Sequence, residues 1–278
     1  MSMRLTFTKM HGLGNDFVVI DGINQRVTLS SEHVKALADR RFGVGCDQVL
    51  IVETPQHPDV DFRYRIFNHD GTEVENCGNG ARCFAKFVRD RQLTGKSRIT
   101  VETCSGRMML NVADNGDITV DMGTPELKPE HIPFKASERQ LTYALPLRET
   151  RLDISAISMG NPHAVVIVDS VANAPVLTQG PEIEAHTLFP KRVNVGFMAI
   201  KSRSEIDLRV YERGAGETLA CGTGACAAVV AGRLQNLLDE RVSANLTGGR
   251  LSIQWQGEGH PVMMTGPAET VFHGQIKL

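Results

Sequence analysis

The sequence of 278 residues has little of several features that mark common protein classes. Aromatic residues make up only 5% of it, and a net charge of −2 provides no positive field that would attract nucleic acid or an acidic membrane surface. No apolar run approaches the roughly 18 residues that a membrane helix needs. The segment from Met1 to Met10 has scattered polar residues and no apolar signal core. We therefore expect a cytoplasmic globular enzyme with neither nucleic acid nor a membrane as its partner.

The cysteines do not form the patterns of a disulfide framework or a zinc site. The chain has no C-x-x-C pair and no Cys/His cluster with the close spacing of a structural zinc site, so we expect reduced thiols and no metal. Free cysteines usually pack as small core residues. We predict this structural role for Cys46, Cys83, Cys104 and Cys226, and a different one for Cys77 and Cys221.

The sequence repeats itself at about half its length. The segments Glu73–Ala81 and Glu217–Ala225 both read E-x-x-x-C-G-x-G-A and lie 144 residues apart. Flanking matches keep nearly the same offset, as between Arg65-Ile-Phe67 and Arg209-Val-Tyr211. Several matches in one register predict two structural copies of one unit.

Each copy combines strands with one helix. Short β-branched and aromatic runs predict strands over Phe62–Phe67 and Ile206–Tyr211, and the apolar spacing that follows predicts helices over Asn79–Leu93 and Thr223–Leu238. The stretch Gly123–Pro133, which contains three prolines, is predicted to link the copies. We expect an α+β fold of two pseudo-symmetric domains, each a curved, mostly antiparallel sheet wrapped around a central helix.

Cys77 and Cys221 are placed for proton transfer, because each precedes a Gly-x-Gly that opens a predicted helix. The N–H groups and the dipole at a helix start favour an anion, so we expect a lowered thiol pKa there. The same N–H groups can hold a carboxylate. If the copies pack about a pseudo-two-fold axis, the two thiols can face each other across a cleft. Inversion of a carbon stereocentre needs such a pair, one thiol and one thiolate.

Two nearby residues leave alternatives open. His163 and Glu212 can assist proton transfer to the thiols, or they can be hydrogen-bonding surface residues. Gly-x-Gly-Ala does not match the dinucleotide fingerprint, and no lysine stands in a context that suggests a pyridoxal phosphate Schiff base. We therefore expect no cofactor.

Six segments together carry a family resemblance along essentially the whole chain. These segments are His11–Phe17, Gly43–Gln48, Asn76–Cys83, Gly160–His163, Tyr211–Glu217 and Ala220–Ala225. In these segments the sequence resembles the diaminopimelate epimerases.

The resemblance implies conversion of LL-2,6-diaminopimelate to the meso form, for lysine and peptidoglycan synthesis, without metal or cofactor. It implies a homodimer and two domains, 1–122 with 267–278 returning to it, and 123–266. It implies catalysis by Cys77 and Cys221, with His163 and Glu212 helping the thiols to exchange protons. The substrate-binding positions that it implies are Asn15, Gln48, Asn68, Gly78, Asn79, Asn161, Asn194, Glu212, Arg213, Gly222 and Thr223.

Two other functions share parts of this pattern. A proline-racemase-like isomerase would keep both cysteines and differ in the binding asparagines and Arg213. A thiol redox or sensor protein would form a functional disulfide between Cys77 and Cys221 and would not need the substrate-binding set.

Overall fold

The computed structural model describes residues 4–74 and 77–278. Glu75 and Asn76, which belong to the first of the repeated motifs, lie outside the described residues. The chain divides into two compact units. The first is formed by Met1–Asp121 with Thr265–Leu278, and the second by Met122–Met264.

Apart from one additional strand at the start of the second half, the elements follow one another in the same order in the two halves of the sequence. The first half contains β1 (Arg4–Gly12), β2 (Asn15–Asp21), α1 (Ser31–Ala38), β3 (Gln48–Glu53), β4 (Phe62–Asn68), β5 (Glu73–Val74), α2 (Gly78–Asp90), β6 (Arg98–Thr103), β7 (Gly106–Val112) and β8 (Ile118–Asp121). The second contains β9 (Tyr143–Pro146), β10 (Arg151–Ser158), β11 (Pro162–Ile167), α3 (Val176–Glu184), β12 (Asn194–Ser202), β13 (Glu205–Glu212), β14 (Gly216–Thr218), α4 (Gly222–Leu234), β15 (Arg241–Leu246), β16 (Gly249–Trp255) and β17 (Val262–Gly266), and β18 (Glu269–Lys277) follows.

Strand pairing within each unit follows one scheme, which confirms the predicted repeat. In the first unit β1/β2 is antiparallel, β2/β3 parallel, β3/β4 antiparallel, β4/β6 parallel and β6/β7 antiparallel. In the second, β10/β11, β11/β12, β12/β13, β13/β15 and β15/β16 have the same directions in the same order. The antiparallel pairs β1/β18 and β9/β10 extend the two sheets at corresponding ends. Most pairs are antiparallel, as expected.

Each sheet encloses one helix. Helix α2 contacts β1, β2, β3, β7 and β8, and helix α4 contacts β10, β11, β12, β13, β15 and β16. Ten of the 13 residues of each helix are buried, including the run Ala225–Gly232 in α4. A helix surrounded in this way must be apolar on most sides, and the Ala/Val-rich sequence of α4 meets this requirement. Among the described residues, no helix is both long enough and apolar enough to cross a membrane.

Both enclosed helices end several residues before the predicted ends. Gln92 and Asn236 adopt left-handed backbone conformations, with φ of 56° and 60°. The N–H groups of the residues that follow them, Leu93 and Leu237, donate to the carbonyls of Val88 and Gly232. This is the hydrogen bond of a Schellman-type helix end. Gly95, the first glycine after α2, lies beyond this helix end.

Two predictions about loop residues are wrong. The stretch Gly123–Pro133 is not a free linker, because Glu126 bridges to Ser158 and Ile132 is completely buried in the core of the second unit. Cys104 is exposed in the turn between β6 and β7, whereas a packed role was predicted. The other three structural cysteines, Cys46, Cys83 and Cys226, are buried as predicted.

The burial of Ile132 gives a test of this packing. The substitution Ile132→Ala should lower the free energy of unfolding of the second unit by about 2–5 kcal/mol, because it leaves a cavity in a closed core. The only tryptophan, Trp255, is 1% exposed in the same unit, so its fluorescence in urea reports this transition.

The control is Leu141→Ala, since Leu141 is 51% exposed and lies in the same unit. It should change the free energy of unfolding by less than about 0.5 kcal/mol. Equal effects of the two substitutions would contradict the packing of this segment.

Candidate active site

Both cysteines singled out in the sequence are the N-cap residues of the enclosed helices. Cys77 precedes α2 with φ −149° and ψ 120°, and Cys221 precedes α4 with φ −120° and ψ 106°. Gly78 and Gly222 are the first residues of the helices, so the N–H groups at both helix starts are placed to bind an anion.

The second glycine of each C-G-x-G motif is required by close packing. A Cβ atom on Gly80 would lie 2.7 Å from Oη of Tyr64, and one on Gly224 would lie 3.2 Å from Sγ of Cys221. Glycine at these positions lets a strand side chain or the thiol itself approach the first helical turn. The motif thus combines an anion-binding backbone with room for the sulfur.

In the first unit, Cys77 lies against side-chain amides. Its Sγ is 3.7 Å from Oδ1 of Asn15, which also accepts a hydrogen bond from Nδ2 of Asn79 at 3.2 Å. Tyr64 donates through its hydroxyl to the carbonyl oxygen of Cys77 at 3.3 Å, which holds the N-cap residue from below. Asn15 starts β2 and Asn79 lies in the first turn of α2. The structure therefore brings three predicted site residues together.

Gln48 and Asn68 form a separate pair in the same unit. They are direct neighbours across β3 and β4, and Nε2 of Gln48 donates to Oδ1 of Asn68 at 2.9 Å. Asn68 contacts Thr72 through its other amide atom at 3.5 Å.

In the second unit, Cys221 is 4% exposed and lies among oxygen atoms. Its Sγ is 3.6 Å from Oγ1 of Thr223, and the Glu212 carboxylate and the backbone N–H of Gly224 also hydrogen-bond to the thiol. Thr218 donates its hydroxyl to Oε1 of Glu212. These contacts favour Glu212 as a proton-exchange partner of Cys221 over a surface role.

His163 joins this group through Asn161. Nδ2 of Asn161 contacts Oγ1 of Thr223 at 3.4 Å, and Oδ1 of Asn161 lies 3.0 Å from Nε2 of His163. In this arrangement Nε2 carries the ring proton, because an amide oxygen can only accept. Nδ1 is then a bare acceptor, buried and without a hydrogen-bond partner among the described residues. Burial and the nearby Arg213 lower the pKa of His163 to about 3, so the ring is neutral near pH 7.

Asn194 and Arg213 differ in how far they are available to a ligand. Asn194 is 3% exposed, and its amide is used by the protein: Nδ2 donates to the carbonyl of Pro162 and Oδ1 accepts from the N–H of Arg213. Asn194 therefore fixes the start of the turn after β13. The Arg213 side chain is exposed and donates to the carbonyl of Lys191 at 3.1 Å. The described residues give it no acidic partner, so the guanidinium can bind a carboxylate.

The expected fall in thiol pKa is wrong for Cys221. Burial raises the pKa of this thiol well above its usual value, and the neighbouring Glu212 carboxylate raises it further. The hydrogen bonds from Thr223 and the Gly224 backbone act in the opposite direction but are weaker. The loss of hydration on burial therefore raises the pKa of Cys221 more than the helix start lowers it. Cys221 is a thiol in the free protein.

Two functional neighbours had no assigned role in the sequence. Asp47 accepts a hydrogen bond from Nδ2 of Asn15 at 2.9 Å, and Thr218 binds Glu212. Asp47 stands inside the segment Gly43–Gln48 that carries the resemblance, and Thr218 directly follows the segment Tyr211–Glu217. Their positions were visible in the sequence, but their partners were not.

Comparison with known families agrees with this arrangement. The family model described as diaminopimelate epimerase matches residues 7–128 and 155–271. The chain belongs to the diaminopimelate epimerase family. The diaminopimelate epimerase of Teredinibacter turnerae is 63% identical over 276 residues, which cover 99% of this chain and 100% of the relative. That of Chromobacterium violaceum is 60% identical over 276 residues with the same coverage.

Solved structures of other proteins share the fold at low sequence identity. A hydroxyproline epimerase from Agrobacterium vitis has a TM-score of 0.71 and 14% identity, over 99% of this chain and 93% of that one. A phenazine biosynthesis protein of the PhzF family from Bacillus anthracis has a TM-score of 0.68 and 17% identity, over 99% of both chains. At these identities the likeness is one of fold, and the α+β architecture predicted from the sequence is confirmed.

The environment of Cys221 predicts how its reactivity depends on pH. The substitution Glu212→Gln should move the pH profile of Cys221 alkylation to lower pH by about 1 unit, because it removes a negative charge that disfavours the thiolate. Iodoacetamide is a small reagent that alkylates the thiolate, and mass spectrometry of the peptide that contains Cys221 gives the rate.

The matched control is Glu217→Gln on the same hairpin. Glu217 pairs with Arg209 at 2.6 Å and is not among the groups that contact Cys221, so its loss should leave the profile unchanged. Coincident profiles for Glu212→Gln and the wild type would contradict the assignment.

Proposed function

We propose that this chain converts LL-2,6-diaminopimelate to meso-2,6-diaminopimelate with Cys77 and Cys221 as its two acid/base groups. The observation that carries the proposal is the equivalent placement of the two thiols, each at the N-cap of an enclosed helix in one of two units of the same strand order. Family membership supports the reaction and the substrate. The product serves lysine and peptidoglycan precursor synthesis.

The reaction inverts one α-carbon of the substrate. One group removes the α-proton from one face, and another returns a proton to the opposite face, which requires two groups rather than one. Cys221 is the acid in the resting state, because burial and Glu212 keep its thiol protonated. Cys77 is then the base that starts the conversion. When the direction reverses, the two exchange roles.

Glu212 and His163 assist the thiols in different ways. The Glu212 carboxylate accepts the proton of Cys221 when that residue must become the base, and the hydrogen bond between them provides the route. His163 remains neutral and offers the lone pair of Nδ1 as an acceptor. The Glu212 carboxylate contacts Cys221 and Thr218, which favours this role over binding of a substrate ammonium.

Substrate binding uses the two helix starts and the exposed guanidinium. The backbone at Gly78-Asn79 and at Gly222-Thr223 binds the carboxylate next to the reacting carbon, where the helix dipole stabilises negative charge. Arg213 binds the distal carboxylate, since a guanidinium matches a carboxylate in a bidentate geometry. Asn15, Gln48, Asn68, Asn161 and Asn194 provide or position amide groups for the ammonium and carboxylate groups. No step of this scheme requires a metal or a cofactor.

We also propose that the chain acts as a cytoplasmic homodimer. Besides the family resemblance, strand β18 supports self-association, because Val271 and Phe272 on it are 54% and 45% exposed. Exposed apolar side chains of this size on one strand can form part of a surface that another protein covers.

The two-thiol scheme predicts the outcome of single substitutions. Cys77→Ala and Cys221→Ala should each lower the rate of epimerisation of LL-diaminopimelate by at least about 10²-fold, because each removes one of two obligatory proton carriers. Chiral chromatography of the meso product, without added cofactor, measures the rate. Proline and other free amino acids should give no inversion.

The control is Cys104→Ala, which removes an exposed thiol in the turn between β6 and β7 and should leave the rate unchanged. Retention of full activity by either Cys77→Ala or Cys221→Ala would overturn the scheme. Inversion of proline in place of diaminopimelate would overturn the substrate.

The proposed homodimer predicts the mass that the protein should have in solution. Light scattering should give twice the chain mass of 30.4 kDa for the wild type, and Phe272→Asp should shift the population to monomer by placing a charge in the contact. Leu177→Asp is the control, since Leu177 is 68% exposed on α3 of the second unit. A monomeric wild type, or a dimer unchanged by Phe272→Asp, would contradict this proposal.

A further inference from the structure

The amide of Asn15 has a defined orientation beside Cys77. Its Nδ2 donates to Oδ2 of Asp47 at 2.9 Å, and its Oδ1 faces Sγ of Cys77 and accepts from Asn79. A carboxylate can only accept hydrogen bonds, so Asp47 dictates which end of the amide turns toward it. Rotation of the amide by half a turn would present a donor to the sulfur in place of an acceptor. The two orientations stabilise opposite protonation states of a thiol.

Asp47 is itself held in place by charged neighbours. Nη2 of Arg40 donates to Oδ1 of Asp47 at 2.7 Å, and Arg40 also forms two hydrogen bonds to the carboxylate of Asp16. The backbone N–H of Asp16 donates to Oδ2 of Asp47 at 3.1 Å, and the backbone N–H of Asp47 donates to Oδ1 of Asp16 at 2.8 Å. Lys9 adds a second cation on Asp16, 2.5 Å away. The carboxylate that contacts Asn15 is therefore part of a rigid network.

The second unit has no counterpart of this carboxylate. The strand registers align Gln48 with Asn194, because Phe17 pairs with Gln48 on β2/β3 and His163 pairs with Asn194 on β11/β12. The residue that corresponds to Asp47 is then Val193, which is fully buried. Asn161, the counterpart of Asn15, instead contacts Thr223 and His163. The orientation of the amide by a carboxylate is specific to the unit of Cys77.

We propose that Asp47 is a positioning residue that, held by Arg40, orients the Asn15 amide so that its oxygen faces Cys77. This proposal rests on the proposed function of Cys77, but it concerns a different set of residues. Asp47 acts through Asn15. It makes the environment of Cys77 differ from that of Cys221, and it places the Asn15 oxygen as an acceptor for the S–H group that forms when Cys77 takes up the α-proton.

The test is a double-mutant cycle with two readouts. Asp47→Asn provides an amide that can pair with either orientation of the Asn15 amide. Because the Asn15 oxygen is then no longer held toward Cys77, kcat/KM should fall at least about tenfold. The midpoint of the pH profile of Cys77 alkylation, followed by mass spectrometry, should fall by at least about 0.5 unit because a donor now reaches the sulfur. In an Asn15→Ala background, Asp47→Asn should have no further effect on either quantity.

The cycle separates orientation from charge. If the loss of negative charge alone moved the profile, the shift would persist in the Asn15→Ala background, and the proposal would be overturned. The matched control is Asp61→Asn, which removes a carboxylate that also pairs with a cation, Lys96, and also accepts a backbone N–H, that of Thr100. Asp61→Asn should match the wild type; equal effects of Asp47→Asn and Asp61→Asn would also overturn the proposal.

A second variant covers the case in which Asp47→Asn does not fold. Arg40→Gln removes the guanidinium that holds the Asp47 carboxylate, and the Arg40 side chain is 58% exposed. The loss of kcat/KM in this variant should likewise vanish in the Asn15→Ala background. The alkylation readout does not depend on turnover. Full activity of Cys77→Ala would therefore refute the proposed function, and the orientation of Asn15 would still be judged by the cycle.

Discussion

The structure depends on placing a cysteine at the start of a helix that its sheet encloses. The position has two opposed electrostatic effects, since the helix start favours an anion while the removal of water disfavours it. At Cys221 burial prevails, and the Glu212 carboxylate adds to it. The thiol is thus held protonated in a place where a substrate carboxylate can bind to the neighbouring backbone. Enclosing the helix in turn requires the apolar surface of α4 and the glycines that allow close approach.

The two units share a backbone scheme but differ in the residues around the sulfur. Asn79 in the first turn of α2 corresponds to Thr223 in α4, and the amide Asn68 at the end of β4 corresponds to Glu212 at the end of β13. Cys77 lies against the amide of Asn15, which Asn79 also contacts, and Cys221 lies against a carboxylate and a hydroxyl. The two faces of the planar α-carbanion also differ. Seen from opposite faces, its carboxylate, ammonium group and side chain follow one another in opposite directions. Two similar but unequal thiol environments suit a reaction that runs in both directions, with a proton removed by one thiol and returned by the other.

The sequence was sufficient for the repeat, the enclosed helices and the location of both cysteines. These features depend on local patterns, such as the C-G-x-G motif and the apolar run of α4, which are visible without a fold. The contact between Asp47 and Asn15 was not predictable, because the parallel pairing of β2 and β3 brings together residues 32 positions apart. The raised pKa of Cys221 depends on burial, which the motif does not encode.

Other differences have local causes. Prolines in Gly123–Pro133 indicated a linker, yet Ile132 supplies an apolar side chain that fits the core of the second unit. The helices end at non-glycine residues in left-handed conformations, Gln92 and Asn236, whereas glycine is the usual signal for a helix end. Cys104 has no distinguishing neighbour in the sequence, and only the turn between β6 and β7 places it at the surface.

The central claim is that two separate groups handle the departing and the arriving proton. It is tested most directly by following the wild-type protein in D2O at low conversion of LL-diaminopimelate. Mass spectrometry of the separated stereoisomers should find one deuterium at the α-carbon of the meso product and none in the remaining LL substrate, since the arriving proton comes from a group that has exchanged with solvent. Deuterium in substrate and product at equal rates, or a product without deuterium, would indicate a single base and contradict the account.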